Sequence, residues 1–170
     1  MPSLYLIHQI LNVTLLLLSL GLLYTVLNGA PYLPTDTKSV DEMVALAHVT
    51  SQTKMVDIGS GDGKIILAFA KAGAEAHGYE INPVLVWITK YRIKRAGLSA
   101  RCFVHQGSFW NVDFSPYNTI TLFGITRIMK KLEEKLQKEL KPGTKIFSHV
   151  FKFPTMKCIE ERPLVRVYEV

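Results

Sequence analysis

Residues Val56–Lys64 read VDIGSGDGK, a pattern that is typical of one class of ligand-binding α/β fold. Three glycines, Gly59, Gly61 and Gly63, stand at every second position after an apolar run that contains Asp57. Glycine has no side chain, so the backbone can turn tightly there and come close to a ligand. The run before the glycines predicts a buried strand, and the residues after them predict a helix whose first N–H groups are free. Together they predict a ligand-binding strand–loop–helix unit.

The glycine spacing separates two classes of ligand. Loops that bind dinucleotides carry G-x-G-x-x-G, whereas this loop carries G-x-G-x-G. Asp57 would repel a pyrophosphate but suits the ammonium group of S-adenosylmethionine (SAM). Glu80 ends the next predicted strand, where a carboxylate can accept both ribose hydroxyls. The combination predicts a SAM site, and an NAD-dependent oxidoreductase is the alternative.

Strand and helix patterns alternate along the rest of the chain, which is typical of a parallel sheet with helices on both faces. We predict an α/β fold: a Rossmann-like, doubly wound, mostly parallel seven-stranded sheet that ends in an antiparallel hairpin, KCIEERPLVRVYEV. The segment SFWNVDFSPY lies between the third and fourth strands and is too short for a full crossover helix. The last predicted helix is amphipathic, and its pattern places Glu133 and Glu134 on the exposed face with neighbouring lysines.

The N-terminus carries a long apolar segment. The segment Leu4 to Leu27 contains no Asp, Glu, Lys or Arg. As a helix with a rise of ~1.5 Å per residue it is long enough to cross a hydrocarbon layer of ~30 Å. Signal peptides usually begin with Lys or Arg, and MPS has neither. We therefore expect an uncleaved transmembrane anchor over residues 1–30 and a catalytic domain over 31–170. Because every Lys and Arg follows the span, the domain is expected on the cytoplasmic (bacterial) or matrix (mitochondrial inner membrane) side.

Composition argues against several other classes. The 170 residues carry a net charge of +6, but no run of five basic residues occurs, so a nucleic-acid partner is not favoured. The two cysteines form no CxxC, and Cys102 and His105 would lie on opposite faces of a strand. The five histidines form no HxH or HExxH. We expect no disulfide framework, no metal site and a monomer.

These motifs resemble those of the class I, seven-β-strand SAM-dependent methyltransferases. More narrowly, the chain is similar to the small membrane-tethered protein-lysine methyltransferases, which include mitochondrial enzymes acting on the ATP synthase c-subunit and the adenine nucleotide translocase, with prokaryotic relatives. The stretches that carry the resemblance lie between Pro31 and Pro154: PYLPT, VDIGSGDGKI, GYEINP, FW, KLEEKLQKELKPG and FKFP.

The resemblance implies that the cofactor is SAM and that a set of nine residues binds it: Asp57, Gly59, Ser60, Gly61, Asp62, Glu80, Ile81, Ser108 and Phe109. Within this set, Ser108 and Phe109 would border the adenine. Many relatives carry an acid where this chain has Ser108, so the adenine contact would be weaker here. Asp62 would lie near the methionyl end or cap a helix, and Lys64 is expected to be a solvated helix residue.

Methyl transfer to a lysine needs a neutral amine, which an apolar channel favours. The candidate rim residues, for which loop packing is the alternative, are Tyr32, Pro34, Thr35, Phe151, Phe153 and Pro154. His149 is a possible general base, and a packed histidine is the alternative there. The expected activity is methylation of a lysine in a membrane-associated protein. The alternatives are methylation of a membrane-soluble lipid or quinone, or SAM binding without catalysis.

Overall fold

A computed structural model describes residues 4–28, 34–124 and 126–170. The chain divides into two compact units, Met1–Pro31 and Tyr32–Val170. The helices of the described residues are α1 (Leu4–Asn28), α2 (Thr37–Ala47), α3 (Lys64–Lys71), α4 (Pro83–Arg95), a 3₁₀ turn (Phe109–Asn111) and α5 (Thr126–Glu139). The strands are β1 (Lys54–Ile58), β2 (Glu75–Glu80), β3 (Cys102–Gln106), β4 (Thr119–Leu122), β5 (Lys145–His149), β6 (Cys158–Glu161) and β7 (Val165–Glu169).

The first unit contains α1, a helix of 25 residues. Its mean hydropathy over Leu4–Gly21 is 1.7, and none of that stretch is buried. The hydroxyls of Thr14 and Ser19 donate to carbonyl oxygens four residues earlier, at 2.8 Å each, so neither polar group is left without a partner. This length and composition fit a membrane span, and they also fit a signal sequence.

The second unit is built on a seven-stranded sheet with the order β3-β2-β1-β4-β5-β7-β6. Strands β1 to β5 pair in parallel, and β7 runs antiparallel between β5 and β6. The predicted Rossmann-like sheet with its terminal hairpin is therefore confirmed. The strand order reverses between β1 and β4, and ligands of such sheets bind in the crevice at that switch point, beyond the carboxyl ends of the strands.

Each face of the sheet has its own apolar core. Met43 of α2 and Phe69 of α3 are fully buried in the first core, with Phe147 of β5. Leu132 and Leu136 of α5 are fully buried in the second core, which covers the other face. The predicted short connection between β3 and β4 is also confirmed, since its helical part is a single 3₁₀ turn.

Helix α5 corrects one prediction. Glu133, which the amphipathic pattern placed on the exposed face, is 2% exposed. Its Oε1 accepts hydrogen bonds from the backbone N–H groups of Thr155 (2.9 Å) and Met156. The two hydrogen bonds to amides of the loop after β5 compensate for the burial of this carboxylate. Glu134 is exposed, as predicted.

Candidate active site at the carboxyl ends of the central strands

The loop after β1 uses its three glycines in different ways. All three have positive φ angles, of 79°, 54° and 79° for Gly59, Gly61 and Gly63. A Cβ added to Gly59 would meet no atom within 4 Å, so this backbone faces open space. A Cβ on Gly63 would instead lie 2.4 Å from the Thr89 side chain of α4. Gly59 therefore leaves room for a ligand, whereas Gly63 permits the close packing of α3 on α4.

Glu80 is held against this loop by two backbone amides. Its Oε2 accepts from the N–H of Gly61 at 2.9 Å, and its Oε1 accepts from the N–H of Asn82 at 2.7 Å. The residue is 9% exposed. Each carboxylate oxygen retains a further lone pair. Glu80 is thus fixed in orientation and can still accept hydrogen bonds from the hydroxyls of a ligand.

Asp57 lies near the carboxyl end of β1 and is 2% exposed. Its Oδ1 accepts from the hydroxyl of Thr121 on β4 at 2.7 Å. Burial raises the pKa of Asp57 to about 7, against the hydrogen bond from Thr121, and the nearby Glu80 and Asp62 carboxylates raise it further. A buried carboxyl beside two other acids is stabilised by a cationic ligand group. The hydrogen bond from Thr121 to Asp57 could not be predicted from the sequence, because 64 positions separate the two residues.

Three polar side chains of the glycine loop and of the start of α3 make contacts within the protein: those of Ser60, Asp62 and Lys64. The side chain of Ser60 packs over Gly78 of β2, so a cofactor could use only its backbone. Asp62 pairs with Arg92 of α4 and also accepts from the N–H of Lys64 at 3.3 Å. Lys64 lies on a helix, as predicted, but it is half-buried and its ammonium group is bound within the protein. Its Nζ donates to the carbonyl oxygen of Thr35 at 2.7 Å and ties α3 to the segment before α2.

Ser108 and Phe109 stand where β3 ends. Ser108 is the N-cap of the 3₁₀ turn, and its Oγ accepts from the N–H of Trp110 at 3.4 Å. The rings of Phe109 and Trp110 are 4.8 Å apart, and Lys131 of α5 lies 4.8 Å from the Trp110 ring centroid. Both aromatic rings are half-buried, so Phe109 retains a surface that can border a ligand.

The predicted channel residues fall in two segments. Before α2, Pro34 is exposed and Thr35 is buried, while Tyr32 lies outside the described residues. After β5, Phe151 is half-buried and Pro154 is exposed. Phe153 is 5% exposed, and its ring packs against Tyr168 in the core at 5.0 Å. Phe151 is therefore the aromatic side chain of this loop that stays available to a channel.

No cluster of three or more His, Cys, Asp or Glu side chains with the spacing of a metal site occurs among residues 4–28, 34–124 and 126–170. The polar groups at the carboxyl ends of β1 and β2 are instead two carboxyls, Asp57 and Glu80, on either side of an open glycine loop. These two acceptors fit a ligand that has both an ammonium group and vicinal hydroxyls.

Comparison with known proteins identifies the family. Residues 57–160 match the family model of the ANTKMT methyltransferase domain. The ATP synthase c-subunit lysine N-methyltransferase of Mus musculus is 40% identical over 124 residues, which are 73% of this chain and 50% of that protein. The protein-lysine N-methyltransferase of Saccharolobus islandicus (strain REY15A) is 38% identical over 71% of this chain and 76% of its own length.

A solved structure extends the likeness to the fold. The RNA methyltransferase from Salinibacter ruber, in complex with S-adenosyl-L-homocysteine, has a TM-score of 0.76 and 33% identity, and covers 81% of this chain and 92% of its own. This chain spans about half the length of the mammalian relatives it matches. The match over 57–160 and the identity with several members agree with the resemblance of the motifs, and this chain belongs to the ANTKMT methyltransferase domain family.

Proposed function

We propose that this chain is a SAM-dependent methyltransferase that transfers methyl groups to the side chain of a protein lysine. The observation that carries the proposal is the pair of buried carboxyls, Asp57 and Glu80, around a glycine loop with open space at Gly59. Membership in a methyltransferase family supports it.

The residues of the loop fit SAM. Asp57 would bind the ammonium group, directly or through water, and Glu80 would accept the ribose hydroxyls. Ser108 and Phe109 would border the adenine. Ile81, which directly follows Glu80, would also contact the cofactor. Backbone groups of Gly59, Ser60 and Gly61 would line the methionyl part, with Asp62 next to them. When bound, SAM supplies a methyl group on a sulfonium, which is a good leaving group.

The chain itself has to align the acceptor and keep water out, since in-line transfer depends mainly on position. Pro34 and Thr35 before α2, with Phe151 and Pro154 after β5, would supply the rim of the proposed lysine channel. Each segment is tied down: Lys64 donates to Thr35, and the hydroxyl of Ser148 donates to the Phe151 carbonyl at 2.6 Å. A rim held in this way pre-orders the acceptor site and favours the neutral amine in an apolar surrounding.

The acceptor we propose is a lysine of a membrane-associated protein. Relatives are named for lysine methylation of the ATP synthase c-subunit and, at 35% identity, of the adenine nucleotide translocase in Mus musculus. Residues 1–30 would form a transmembrane anchor, and residues 31–170 a monomeric catalytic domain on the cytoplasmic or matrix side. The apolar helix α1 and the absence of charge from Leu4 to Leu27 support the anchor.

RNA is a second candidate acceptor, because the solved relative from Salinibacter ruber is named an RNA methyltransferase. The net charge of +6 is compatible with it. No run of basic residues supports it, and we rank it below lysine.

The test is label transfer from tritiated SAM by the purified full chain. The acceptors are recombinant, unmethylated c-subunit of ATP synthase, adenine nucleotide translocase, total RNA and a lipid–quinone extract. We expect label in protein, and mass spectrometry should place it on lysine. Label confined to RNA or to the lipid extract would overturn the lysine proposal, and SAM binding without any transfer would favour a non-catalytic module.

A further inference from the structure

His149 stands at the carboxyl end of β5, in line with the glycine loop. The register pairs Ile58 with Leu122 and Leu122 with Ser148, so the next residues, Gly59, Phe123 and His149, follow one another across three parallel strands. Neighbouring strands are about 4.8 Å apart, which puts the backbone of His149 roughly 10 Å from that of Gly59. The backbone of His149 therefore lies at the edge of the sheet that carries the glycine loop.

The side chain of His149 is buried, at 5% exposure, and is held on two sides. Its ring packs edge-on against Phe123, with centroids 4.5 Å apart. Its Nε2 lies 3.3 Å from the hydroxyl of Ser39 and 3.5 Å from Oδ2 of Asp36. Both of these residues belong to the start of α2, where Asp36 is the N-cap. The contacts connect β5 to the segment that forms the other side of the proposed channel.

The protons in this cluster can be assigned by counting donors. A serine hydroxyl has a single proton. The Ser39 hydroxyl lies 2.6 Å from Oδ2 of Asp36, an ionised acid that only accepts, so its proton points there. Ser39 must then accept from His149, whose Nε2 carries the proton. The neutral ring consequently has its bare lone pair on Nδ1, and this atom is buried without a hydrogen-bond partner among the described residues.

The backbone after His149 is in an unusual conformation. Val150 has a φ of 67°, which is a rare value for a β-branched residue. Three hydrogen bonds hold it: Val150 N–H to the Leu164 carbonyl (2.8 Å), Phe151 N–H to the His149 carbonyl (2.8 Å), and the Ser148 hydroxyl to the Phe151 carbonyl. Such strain persists where the surroundings enforce it, and it is frequent at functional sites.

We propose that Nδ1 of His149 is the proton acceptor for the target lysine. The inference rests on the function proposed above. The lysine ammonium gives one proton to Nδ1, which forms an imidazolium and a neutral amine. The amine nitrogen then bonds to the methyl carbon as the carbon–sulfur bond breaks, and the electron pair of that bond stays on sulfur. After the methylated product leaves, Nδ1 gives its proton to solvent, which restores the Nε2–H ring, and the Asp36 carboxylate near Nε2 stabilises the imidazolium until then.

The surroundings of the ring suit this role. A charged group beside the ring is Asp36, from the start of α2, and Ser39 of α2 and Phe123 after β4 are neutral neighbours. Burial lowers the pKa of His149, and Asp36 opposes that shift. The ring is therefore neutral and ready to accept at physiological pH, and Asp36 stabilises the imidazolium once it forms.

Two substitutions separate a base from a packed histidine. In His149→Gln the side-chain amide can still donate to Ser39, but nothing replaces the lone pair of Nδ1. His149→Ala removes both. We expect His149→Gln to lower kcat about 100-fold or more with little change in KM or in SAM affinity. Its residual rate should rise with pH across the range in which the wild-type rate levels off. His48→Asn, at the exposed end of α2, is the control.

Nuclear magnetic resonance tests the ring without any turnover. The full chain, labelled with ¹⁵N-histidine in detergent micelles, should show His149 as the Nε2–H tautomer, titrating below its ordinary 6.5. Wild-type kcat in His149→Gln, or an Nδ1–H tautomer, would overturn the inference. Tritiated SAM and recombinant c-subunit serve for the rates. If the wild-type chain methylates no acceptor, the proposed function itself is contradicted. If wild type and His149→Gln are equally active, only the role of His149 is contradicted.

Discussion

Asp57 shows how one buried carboxyl can link ligand binding to pH. In the folded chain its pKa is about 7, and its ordinary value is 3.8. Between these two values the folded protein holds a proton that the unfolded chain releases. The ionised form therefore costs stability as the pH rises towards 7, unless a cation binds beside it. The ammonium group of SAM would provide that cation.

We therefore expect SAM binding to release protons. Near pH 7 a fraction of a proton should leave Asp57 for each SAM bound, and the affinity should increase as the pH rises towards about 7 and level off above it. Calorimetry in buffers of different ionisation enthalpy measures the release. Asp57→Asn can still accept from Thr121 but has no proton to lose. A wild-type proton release that persists in Asp57→Asn would show that another group is responsible.

Glu80 makes a second prediction at the residue scale. Glu80→Gln removes the charge and leaves a single carbonyl oxygen for the amides of Gly61 and Asn82. We expect SAM affinity to fall roughly 10- to 100-fold, as for the loss of a charged hydrogen bond. Glu75→Gln, on the same strand with a side chain that is 46% exposed, is the matched control. Equal affinity in wild type and Glu80→Gln would exclude a ribose contact.

At the scale of elements, the sequence predicted helices and strands well because their patterns are local. Glu80 ends β2, where the sequence predicted the end of a strand. Glu133 was predicted wrongly because its partners, the amides of Thr155 and Met156, come from a distant loop. The same reason applies to Lys64, whose partner is the carbonyl of Thr35. The hydrophobic periodicity of a helix gives no information about hydrogen-bond partners that come from distant segments of the chain.

The buried Glu133 predicts a specific loss of stability. In Glu133→Ala two loop amides lose their acceptor inside the protein, and we expect the free energy of unfolding to fall by about 2–3 kcal/mol. Thermal or denaturant unfolding of the full chain measures it. Glu134→Ala changes the exposed neighbour on the same helix and should be within about 0.5 kcal/mol of wild type. Equal losses in both variants would contradict the role of Glu133.

At the scale of the whole molecule, the class of sheet followed from alternating strands and helices and from the glycine loop. The position of β7 between β5 and β6 could not be predicted, because a hairpin pattern does not indicate which of its two strands pairs with β5. The location of the His149, Ser39 and Asp36 cluster was likewise beyond the sequence, since 110 positions separate His149 from Ser39.

The first unit makes a prediction about membranes. If α1 is an uncleaved anchor, the full chain should stay with the membrane pellet after alkaline carbonate extraction, and its intact mass should include residues 1–30. Leu15→Arg with Leu16→Arg should release it, because each central arginine costs about 2.5–3.5 kcal/mol of insertion. Leu15→Ala with Leu16→Ala is the control and should stay in the pellet. A mature chain that lacks the segment would identify it as a signal peptide.

We propose that the loop after β1 binds SAM, and calorimetric titration of the purified full chain measures that binding. SAM and NADH are titrated in parallel at the same pH. The claim predicts one SAM bound per chain, weakened in Asp57→Asn and Glu80→Gln, and no heat of binding from NADH. Binding of NADH without binding of SAM would contradict it.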